Sequence, residues 1–428
     1  MAAPLSIAYE KYTLPANGLE VILSQDRDLP IVAVNLWYHA GPVNEAPGRT
    51  GFAHLFEHLM FQGSKHVGDD QHFKMLESVG ASLINGTTDF DRTNYFATVP
   101  ANQLGLALWL ESDRMGFLLD VLSQQKLDNQ RDVVMNERRQ SVDNRPYGRS
   151  EEKLVQLGFP PDHPYYGFVI GSMSDLKAAT LDDVSDFFRR YYAPSNATLA
   201  IVGDFDTAEA KALVARYFGS LPRREDPPAR PVTTPPLTGE RRATVEDRVE
   251  LVRVDMGWLT PPAFKPGDAD CDVLAFILGG GDSSRLYKRL VYELEIAQEV
   301  SAYQESEALT SMFVVSVMGR PGVNAAQIEA EVDKLLDDVR ASPPSEREVR
   351  RARNQLVTSL VGGLQNIGGF GGKADMLNRY NLYVGDPGYF AQDLARYDAV
   401  TPQSVHQIAR AHFAKDQRAV VVTLPAKK

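Results

Sequence analysis

The chain has 428 residues, of which 43% are hydrophobic and 24% charged, and its formal net charge is −11 at pH 7. This composition is typical of a soluble globular protein, and the length exceeds what one hydrophobic core usually serves, so we expect at least two domains. The acidic balance argues against nucleic acid as the main partner.

Membrane insertion and disulfide bonding are also disfavoured. No apolar run approaches the roughly 18 residues of a membrane-spanning helix. The single cysteine, Cys271, excludes an internal disulfide and a metal site built from several cysteines. Residues 1–4 lack the basic and apolar regions of a targeting signal, and their small side chains resemble the start of a mature exported chain. The expected location is therefore periplasmic, with a cytoplasmic location as the alternative.

The first predicted element is a hairpin, because residues 5–24 alternate apolar and polar side chains around an Asn-Gly turn. Residues 31–38 are predominantly apolar, which predicts a buried strand. After a loop that contains glycine, Thr50 or Gly51 is expected to cap a helix.

That helix carries His54, Glu57 and His58 in the sequence His-Leu-Phe-Glu-His. Residues four apart share one helical face, so both imidazoles are able to bind one metal ion, while Glu57 reaches a metal-bound water without being a ligand. Zinc suits such a site because it accepts imidazole and carboxylate ligands and lowers the pKa of bound water to about 7. The order H-x-x-E-H inverts the common zinc-protease motif and marks the inverzincins. The alternative, two solvated histidines, is disfavoured by the apolar residues around them.

Strands and helices are predicted after the motif as well. Residues 81–99, rich in threonine and aromatic side chains, predict two strands joined by a short turn. Residues 100–122 and 126–142 predict helices, and the second of these carries Glu137.

The second half of the chain appears as a faint repeat of the first. The Pro-rich segment 222–243 has no period and predicts a linker between domains at 1–221 and 244–428. The ends of the two halves, residues 180–203 and 401–424, match at an offset of about 221. Two unrelated domains with similar helix-strand ends are the alternative.

At this offset the motif positions become Leu274, Ile277 and Leu278, so the second domain is expected to have no metal site. The predicted fold class is α+β, with two homologous domains that are each a mainly antiparallel sheet flanked by helices.

A catalytic zinc site needs a third protein ligand and one position left for water. Glu137 is the leading candidate from its sequence context. The residues alone leave the other acids of the first domain open, because a solvated glutamate on a helix is much commoner than a ligand.

The motif His54–His58, followed by Glu137 on a long helix, resembles the pitrilysin or insulinase family, the inverzincins that include mitochondrial processing peptidase. The resemblance covers nearly the whole chain and includes an edge strand for substrate, a middle loop, a strand that ends the first half and a turn in the second half. These segments contain residues 85–95, 164–172, 193–204 and 279–286.

The resemblance implies a processing-peptidase-like metallohydrolase fold, with His54, His58 and Glu137 as zinc ligands and Glu57 as the catalytic base. It also implies that several residues of the edge strand and its neighbour bind substrate. These are Asn85, Gly86, Thr88, Thr93 and Tyr95.

Two departures from the family pattern bear on function. The second glutamate that often stands one helical repeat before the ligand glutamate is Gln130 here, which retains a supporting hydrogen-bonding role without charge. Active one-chain and homodimeric relatives carry an arginine and, seven residues later, a tyrosine. Both side chains contact the substrate carbonyl. In this chain Val291 and Gln298 stand at those positions. Arg285 and Tyr292 have the right spacing but the wrong register.

The sequence contains two glycine clusters that are candidate binding sites. Residues 279–281 lack the Gly-Lys-Ser/Thr ending of a phosphate-binding loop, so nucleotide binding is not expected. Residues 362–372 contain six glycines within a helical stretch, and a flexible loop is favoured over a binding site. A glycine-rich loop of the noncatalytic subunit of mitochondrial processing peptidase handles substrate, which keeps the second reading open.

We therefore predict a zinc metalloendopeptidase, a hydrolase with Zn²⁺ as cofactor, that cleaves short unfolded peptides. Because Val291 and Gln298 stand where the arginine and tyrosine are expected, the predicted partner is a homologous subunit with the arginine and tyrosine but without the zinc motif, which makes a heterodimer. A homodimer is the alternative.

Two other functions compete with this prediction. One is a non-catalytic zinc-binding or scaffold subunit of a larger complex. The other is the thioether-cleaving enzyme of quorum signalling, which shares the inverted motif but is a shorter chain with a catalytic cysteine.

Overall fold

The computed structural model describes residues 5–228 and 231–426. Residues 1–4, which entered the prediction of location, lie outside the described residues. Within the described ranges, no helix combines the length and apolarity needed to cross a bilayer.

The chain forms two compact units, each built from segments that are distant in sequence. Unit 1 contains residues 5–137, 168–228 and 361–391, and unit 2 contains residues 138–167, 231–360 and 392–426.

The strands and helices follow one another closely along the chain. The strands are β1 (Glu10–Thr13), β2 (Glu20–Gln25), β3 (Ile31–Tyr38), β4 (Ser82–Asp89), β5 (Arg92–Pro100), β6 (Ala197–Gly203), β7 (Arg241–Asp247), β8 (Arg253–Thr260), β9 (Ala297–Glu305), β10 (Ser311–Gly319) and β11 (Arg418–Pro425). The helices are α1 (Phe52–Leu59), α2 (Gln71–Ser78), α3 (Leu104–Phe117), α4 (Gln124–Arg138), α5 (Gly148–Gly158), α6 (Met173–Ala178), α7 (Leu181–Tyr191), α8 (Thr207–Phe218), α9 (Asp268–Gly279), α10 (Ala325–Ala341), α11 (Glu346–Gly363), α12 (Lys373–Val384), α13 (Phe390–Asp398) and α14 (Pro402–His412).

The sheet of unit 1 has the strand order β1-β2-β6-β3-β5-β4. Only the β2–β6 pair among these strands is parallel, so the sheet is mainly antiparallel. The central strand β6 is buried at every position, as expected for its continuous apolar sequence, whereas β4 is largely exposed at the sheet edge. An edge strand presents backbone donors and acceptors that another strand is able to use.

The sheet of unit 2 has the order β7-β11-β8-β10-β9, with β7–β11 as its parallel pair. This topology repeats that of unit 1 without β1: β7, β11, β8, β10 and β9 take the places of β2, β6, β3, β5 and β4. Helices α7 and α14 begin with the same capping box, at Thr180 and Thr401, at the predicted offset. The predicted α+β architecture of two similar domains is thus confirmed.

The predicted domains, residues 1–221 and 244–428, do not coincide with the two compact units. Helix α5 precedes the predicted linker in sequence but packs on the sheet of unit 2, and α12 packs on the sheet of unit 1. Strand β7 also begins at Arg241, inside the predicted linker. Apolar periodicity shows that a helix has a face to bury, but it does not show which sheet will cover that face.

Candidate metal and catalytic centre

Helix α1 carries three polar side chains on an otherwise apolar body, as the motif predicted. It packs against β4, β5 and α7. Its Phe56 ring lies 5.4 Å from the ring of Phe188 and 4.4 Å from that of Tyr192, measured between centroids. This packing fixes the rotation of the helix, so His54 and His58 emerge together with their ring centroids 4.8 Å apart.

The N-terminus of α1 is held by a carboxylate from the preceding loop. Oε2 of Glu45 accepts a hydrogen bond from the backbone N–H of Gly51 at 3.1 Å, and Oε1 accepts one from that of Ala53 at 2.8 Å. Gly51 is the N-cap residue, one of the two that were predicted, but it has no side chain to accept such bonds. The Glu45 carboxyl group, whose pKa is raised to about 8 by burial, supplies the missing acceptor.

A second contact fixes the residue before the cap. Oδ2 of Asp175 accepts hydrogen bonds from the backbone N–H of Thr50 at 3.0 Å and from its hydroxyl at 2.6 Å. The Thr50 hydroxyl in turn accepts a bond from the backbone N–H of Ser172. The start of α1 is therefore tied to the segment that leads into α6.

Glu137, near the end of α4, faces both histidines. Its Oε2 lies 3.2 Å from Nε2 of His58, and its Oε1 lies 3.7 Å from Nε2 of His54. One potential donor atom from each of the three residues falls within 4.8 Å of the others, and this is the only such group of His, Cys, Asp or Glu found among the described residues. The predicted ligand set therefore comes together in space.

The protonation states suit metal binding. Burial lowers the pKa of His54 to about 4, and the nearby His58 contributes in the same direction. The hydrogen bond with His58 holds the pKa of Glu137 below its ordinary value. A neutral imidazole and an ionised carboxylate are the forms that coordinate metals.

The donor set fits zinc. Two imidazole nitrogens and one carboxylate oxygen form one of the recurrent three-ligand sets of catalytic zinc sites. Nδ1 of His54 is buried and has no hydrogen-bond partner among the described residues.

Glu57, on the same helix, contacts the edge strand. Oε2 of Glu57 accepts a hydrogen bond of 2.6 Å from Oγ1 of Thr88 on β4. Burial raises the pKa of the Glu57 carboxyl above its ordinary value, while the bond from Thr88 acts in the opposite direction. A raised pKa brings a carboxylate closer to the working range of a general base at neutral pH.

The edge-strand residues that were predicted to bind substrate fall into two groups. Asn85 is exposed on β4, and its side-chain oxygen accepts a bond from the N–H of Gly86 at 2.9 Å. Gly86 is buried beside the base, where an added β carbon would lie 3.1 Å from Cγ of Glu57. Asn85, Gly86 and Thr88 thus lie at the open edge next to Glu57.

Thr93 and Tyr95 form the second group. Both side chains are fully buried on β5. Thr93 donates a hydrogen bond to the carbonyl of Ala40, and the Tyr95 hydroxyl lies 3.3 Å from that of Tyr192. Their buried side chains support the edge strand in this structure, and a role in substrate binding stays a prediction. They are buried because β5 is covered by β4 and by α1, which the residue pattern of one strand does not reveal.

The supporting residue Gln130 is buried on α4, two turns before Glu137. Its position agrees with a supporting contribution, which stays a prediction.

In unit 2, the residues at the motif positions belong to an apolar core. Leu274, Ile277 and Leu278 are buried in it on α9 and offer no ligand atom.

The residues considered for carbonyl binding also lie in unit 2. Val291 packs partly buried against the core, and Gln298 is exposed on the edge strand β9. Arg285 forms two hydrogen bonds to Glu348, at 2.7 and 3.0 Å, whereas Tyr292 is 78% exposed. Arg285 is thus engaged within its own unit.

Two family models match the chain: "Insulinase (Peptidase family M16)" over residues 20–160 and "Peptidase M16 inactive domain" over residues 178–356. The zinc protease PqqE of Helicobacter pylori is 30% identical over 84% of this chain and 80% of that protein. The chain belongs to peptidase family M16. The description of the second model as inactive agrees with the apolar residues at the motif positions of unit 2.

Other M16 members match over a similar extent. A probable mitochondrial-processing peptidase subunit beta of Arabidopsis thaliana is 26% identical over 94% of this chain and 75% of that protein. The crystal structure of a protease from Helicobacter pylori superposes with a TM-score of 0.91 at 26% identity, covering 98% of this chain and all of that one. The predicted family and fold are confirmed.

The thioether-cleaving alternative finds no support in the site. Cys271 is buried on α9 in unit 2, and burial raises the pKa of its thiol well above the ordinary value. A thiol of this kind is poorly suited to act as a thiolate at neutral pH.

Sequence reasoning missed Glu45 and the contact that Thr88 makes. An acidic residue before an apolar helix is a known N-terminal signal, but Glu45 stands six residues before Gly51, outside the spacing of a capping box. Thr88 was predicted to bind substrate, whereas the structure shows it bonded to Glu57.

We predict that Glu45→Ala weakens zinc binding without touching a ligand. Two backbone N–H groups at the start of α1 lose their acceptor, each at about 1–3 kcal/mol when buried. The loosened helix end should reduce zinc affinity by about 10–100-fold, as changes in supporting residues do. Urea unfolding and competition with a chelator measure the two effects.

Asp206→Ala is the matched control, because Asp206 accepts two backbone N–H bonds of 2.9 Å at the start of α8 in the same unit. It should cost about 1 kcal/mol of stability and leave zinc affinity unchanged. Equal zinc affinity in both variants would reject the positioning role of Glu45.

Proposed function

We propose that this chain is a zinc endopeptidase in which Glu57 activates the attacking water. The observation that carries the proposal is the convergence of His54, His58 and Glu137 beside Glu57, which is itself bonded to the edge strand through Thr88. A ligand cluster and a base placed at the open edge of a sheet suit the hydrolysis of an extended peptide.

The metal ligands, Glu57 and Thr88 have different roles in the proposed reaction. Zinc, when held by His54, His58 and Glu137, supplies Lewis acidity for the substrate carbonyl and the attacking water. The Glu57 carboxylate accepts the proton of that water and then donates it to the leaving amine nitrogen. The hydrogen bond from Thr88 orients one oxygen of Glu57, and the surrounding apolar side chains limit access of bulk water.

The substrate binds along β4 as an added strand. Backbone pairing of this kind reads an extended shape more than a sequence, so the substrates are short unfolded peptides. Asn85 and Gly86 lie on the strand that receives the peptide, with the Asn85 side chain exposed and Gly86 beside Glu57.

Glu57→Gln and Glu137→Gln form a pair that separates catalysis from metal binding. The amide at position 57 still accepts the bond from Thr88 but does not take the proton, so we expect full zinc content and a loss of turnover by about 10²–10⁴-fold. The amide at position 137 removes the charged ligand, so most zinc should be lost. Metal analysis and cleavage of a flexible fluorogenic peptide measure both.

Glu77→Gln, on the exposed surface of α2, controls for removal of a glutamate charge and should change neither quantity. Loss of metal in Glu57→Gln would make Glu57 a ligand. Full zinc and full activity in Glu137→Gln would sink the ligand assignment. Zinc binding with no cleavage by any form of the chain would favour the scaffold function instead.

We further propose that the chain works with a homologous subunit that supplies the missing arginine and tyrosine. The supporting observation is that Val291 has no side-chain donor and Gln298 is an uncharged amide, so neither residue reproduces the arginine and tyrosine of the active relatives. The pairing makes a heterodimer in preference to a homodimer, in which both sites would lack the pair. The periplasmic location stays a prediction.

The double substitution Val291→Arg with Gln298→Tyr tests the register. If these positions serve the carbonyl, turnover of the flexible peptide by the chain alone should rise, by up to about 10²–10³-fold for a preorganised oxyanion donor. The matched control is Arg285→Ala with Tyr292→Phe, which should leave turnover by the chain alone at its low level. High activity of the unaltered chain that this control abolishes would show that the register is wrong and that no partner is required.

A further inference from the structure

A cavity of about 370 Å³ lies in unit 1 at the beginning of the edge strand β4. Its walls come from the residues just before β3, from the first residues of β4, and from segment 364–368 in the glycine-rich stretch. The site of Glu57 and the zinc ligands does not include any of these residues. The cavity therefore needs a separate explanation.

The edge strand is bent at the cavity. Pairing with β5 runs regularly from Asp89 to Asn85 and then shifts before Ser82, which leaves one extra residue on β4. Leu83, within this bulge, has a φ of 51° and a side chain that is 56% exposed. A bulge redirects side chains, and a leucine at positive φ is strained, so the bend holds an apolar side chain out at the mouth of the cavity.

The glycine-rich stretch forms a wall of the cavity. Gly368 lies so close to the sheet that a β carbon there would be 2.4 Å from Oγ1 of Thr98. The next residues bring Phe370 to the rim, where its ring is 70% exposed and packs edge-on to Phe96 at 5.2 Å.

The cavity opens on the face of the sheet opposite to α1. Along β5, Asn94 bonds to Asn35, which contacts Asp375 of α12, whereas the Tyr95 ring lies 5.6 Å from that of Phe61 just beyond α1. Side chains alternate along a strand, so Thr98 shares the α12 face with Asn94. A strand added to β4 would send alternate side chains to this face.

The charges of the cavity leave one carboxylate uncompensated. Lys373 is paired with Asp26. Asp28 lines the same cavity, and within the described residues its carboxylate forms no ion pair. The net charge of the lining is therefore negative, and exposed Leu29 and Leu83 provide apolar surface beside it.

We propose that this cavity binds an arginine or lysine side chain of the peptide substrate. The aliphatic stem of such a residue covers Leu29 and Leu83, and the cationic head reaches Asp28. The proposal rests on the proposed endopeptidase function, and it adds a specificity that backbone pairing with β4 does not provide.

The position of the recognised residue follows from the strand. Leu83 stands five residues before Thr88, which marks the catalytic base, and a strand rises about 3.3 Å per residue, so the two points are about 17 Å apart. The basic residue should therefore lie about five positions from the cleaved bond, with its side chain on the face away from Glu57.

The test measures peptide binding to the full chain carrying Glu57→Gln, so that the readout does not depend on turnover. Labelled peptides of about ten residues, enough to follow β4 past Thr88 and Leu83, carry one arginine that is moved one position at a time. A matched set carries citrulline, which has the same shape without charge. Fluorescence anisotropy gives the affinities, and cleavage of the same peptides by the unaltered chain locates the cleaved bond.

We expect arginine to be preferred over citrulline by about two- to five-fold at one position, as for a partly exposed ion pair. The preference should decrease with salt. Asp28→Asn should abolish it, and Asp182→Asn, at an exposed aspartate of α7 in the same unit, should leave it intact. Leu83→Ser should weaken the arginine and citrulline peptides alike.

The absence of an arginine preference at every position, or a preference that survives Asp28→Asn, overturns the proposal. The two proposals fail separately. Cleavage by the unaltered chain without an arginine preference rejects the cavity as a basic site and leaves the peptidase standing. An arginine preference in binding, with no cleavage by the unaltered chain, rejects the peptidase and leaves the cavity standing as a basic site.

Discussion

The site of this M16 peptidase depends on how helix α1 is held. Eight residues must bury Phe52, Leu55, Phe56 and Leu59 and still present three polar side chains in a fixed order. An isolated helix of this length is not stable in water, so its geometry comes from its surroundings. Glu45 satisfies its N-terminal N–H groups, aromatic packing sets its rotation, and the bond from Thr88 to Glu57 joins it to the edge strand.

Comparison of the two units separates the features of the shared fold from those of the candidate site. Both units have the same strand order around a parallel pair, so the arrangement of the sheet serves the fold rather than the chemistry. In unit 2 the helix equivalent to α1 is apolar at the motif positions, where Leu274, Ile277 and Leu278 join the core. Unit 2 has the same topology without polar residues at these positions. A unit of this kind therefore does not need the polar residues of α1 for its fold.

The sequence predicted what depends on local spacing. The ligand pair on α1, the edge strand and the repeat are all periodic or contiguous patterns, and the family resemblance then selected Glu137. It did not predict that α5 and α12 cover the sheet of the other half, or that Thr93 and Tyr95 are buried, because both depend on contacts between distant segments. The role of Glu45 was not predicted for the same reason. Its bonds to Gly51 and Ala53 need a loop conformation that no short motif specifies.

The segments exchanged between the halves also shape a cavity in each unit, and the two cavities differ in the residues that line them. In unit 2, a cavity of about 200 Å³ borders β8, β9, β10 and α5. Its Arg253 bonds to Asp255 at 2.9 Å and lies 3.5 Å from Glu151, and its lining also contains Arg145 and Glu299. In unit 1, Asp26 and Lys373 compensate each other, but Asp28 remains beside exposed leucines. A carboxylate next to apolar surface gains from a side chain that offers both a cation and an aliphatic stem. The proposed peptide-binding strand and the proposed basic site therefore lie next to each other at the edge of unit 1.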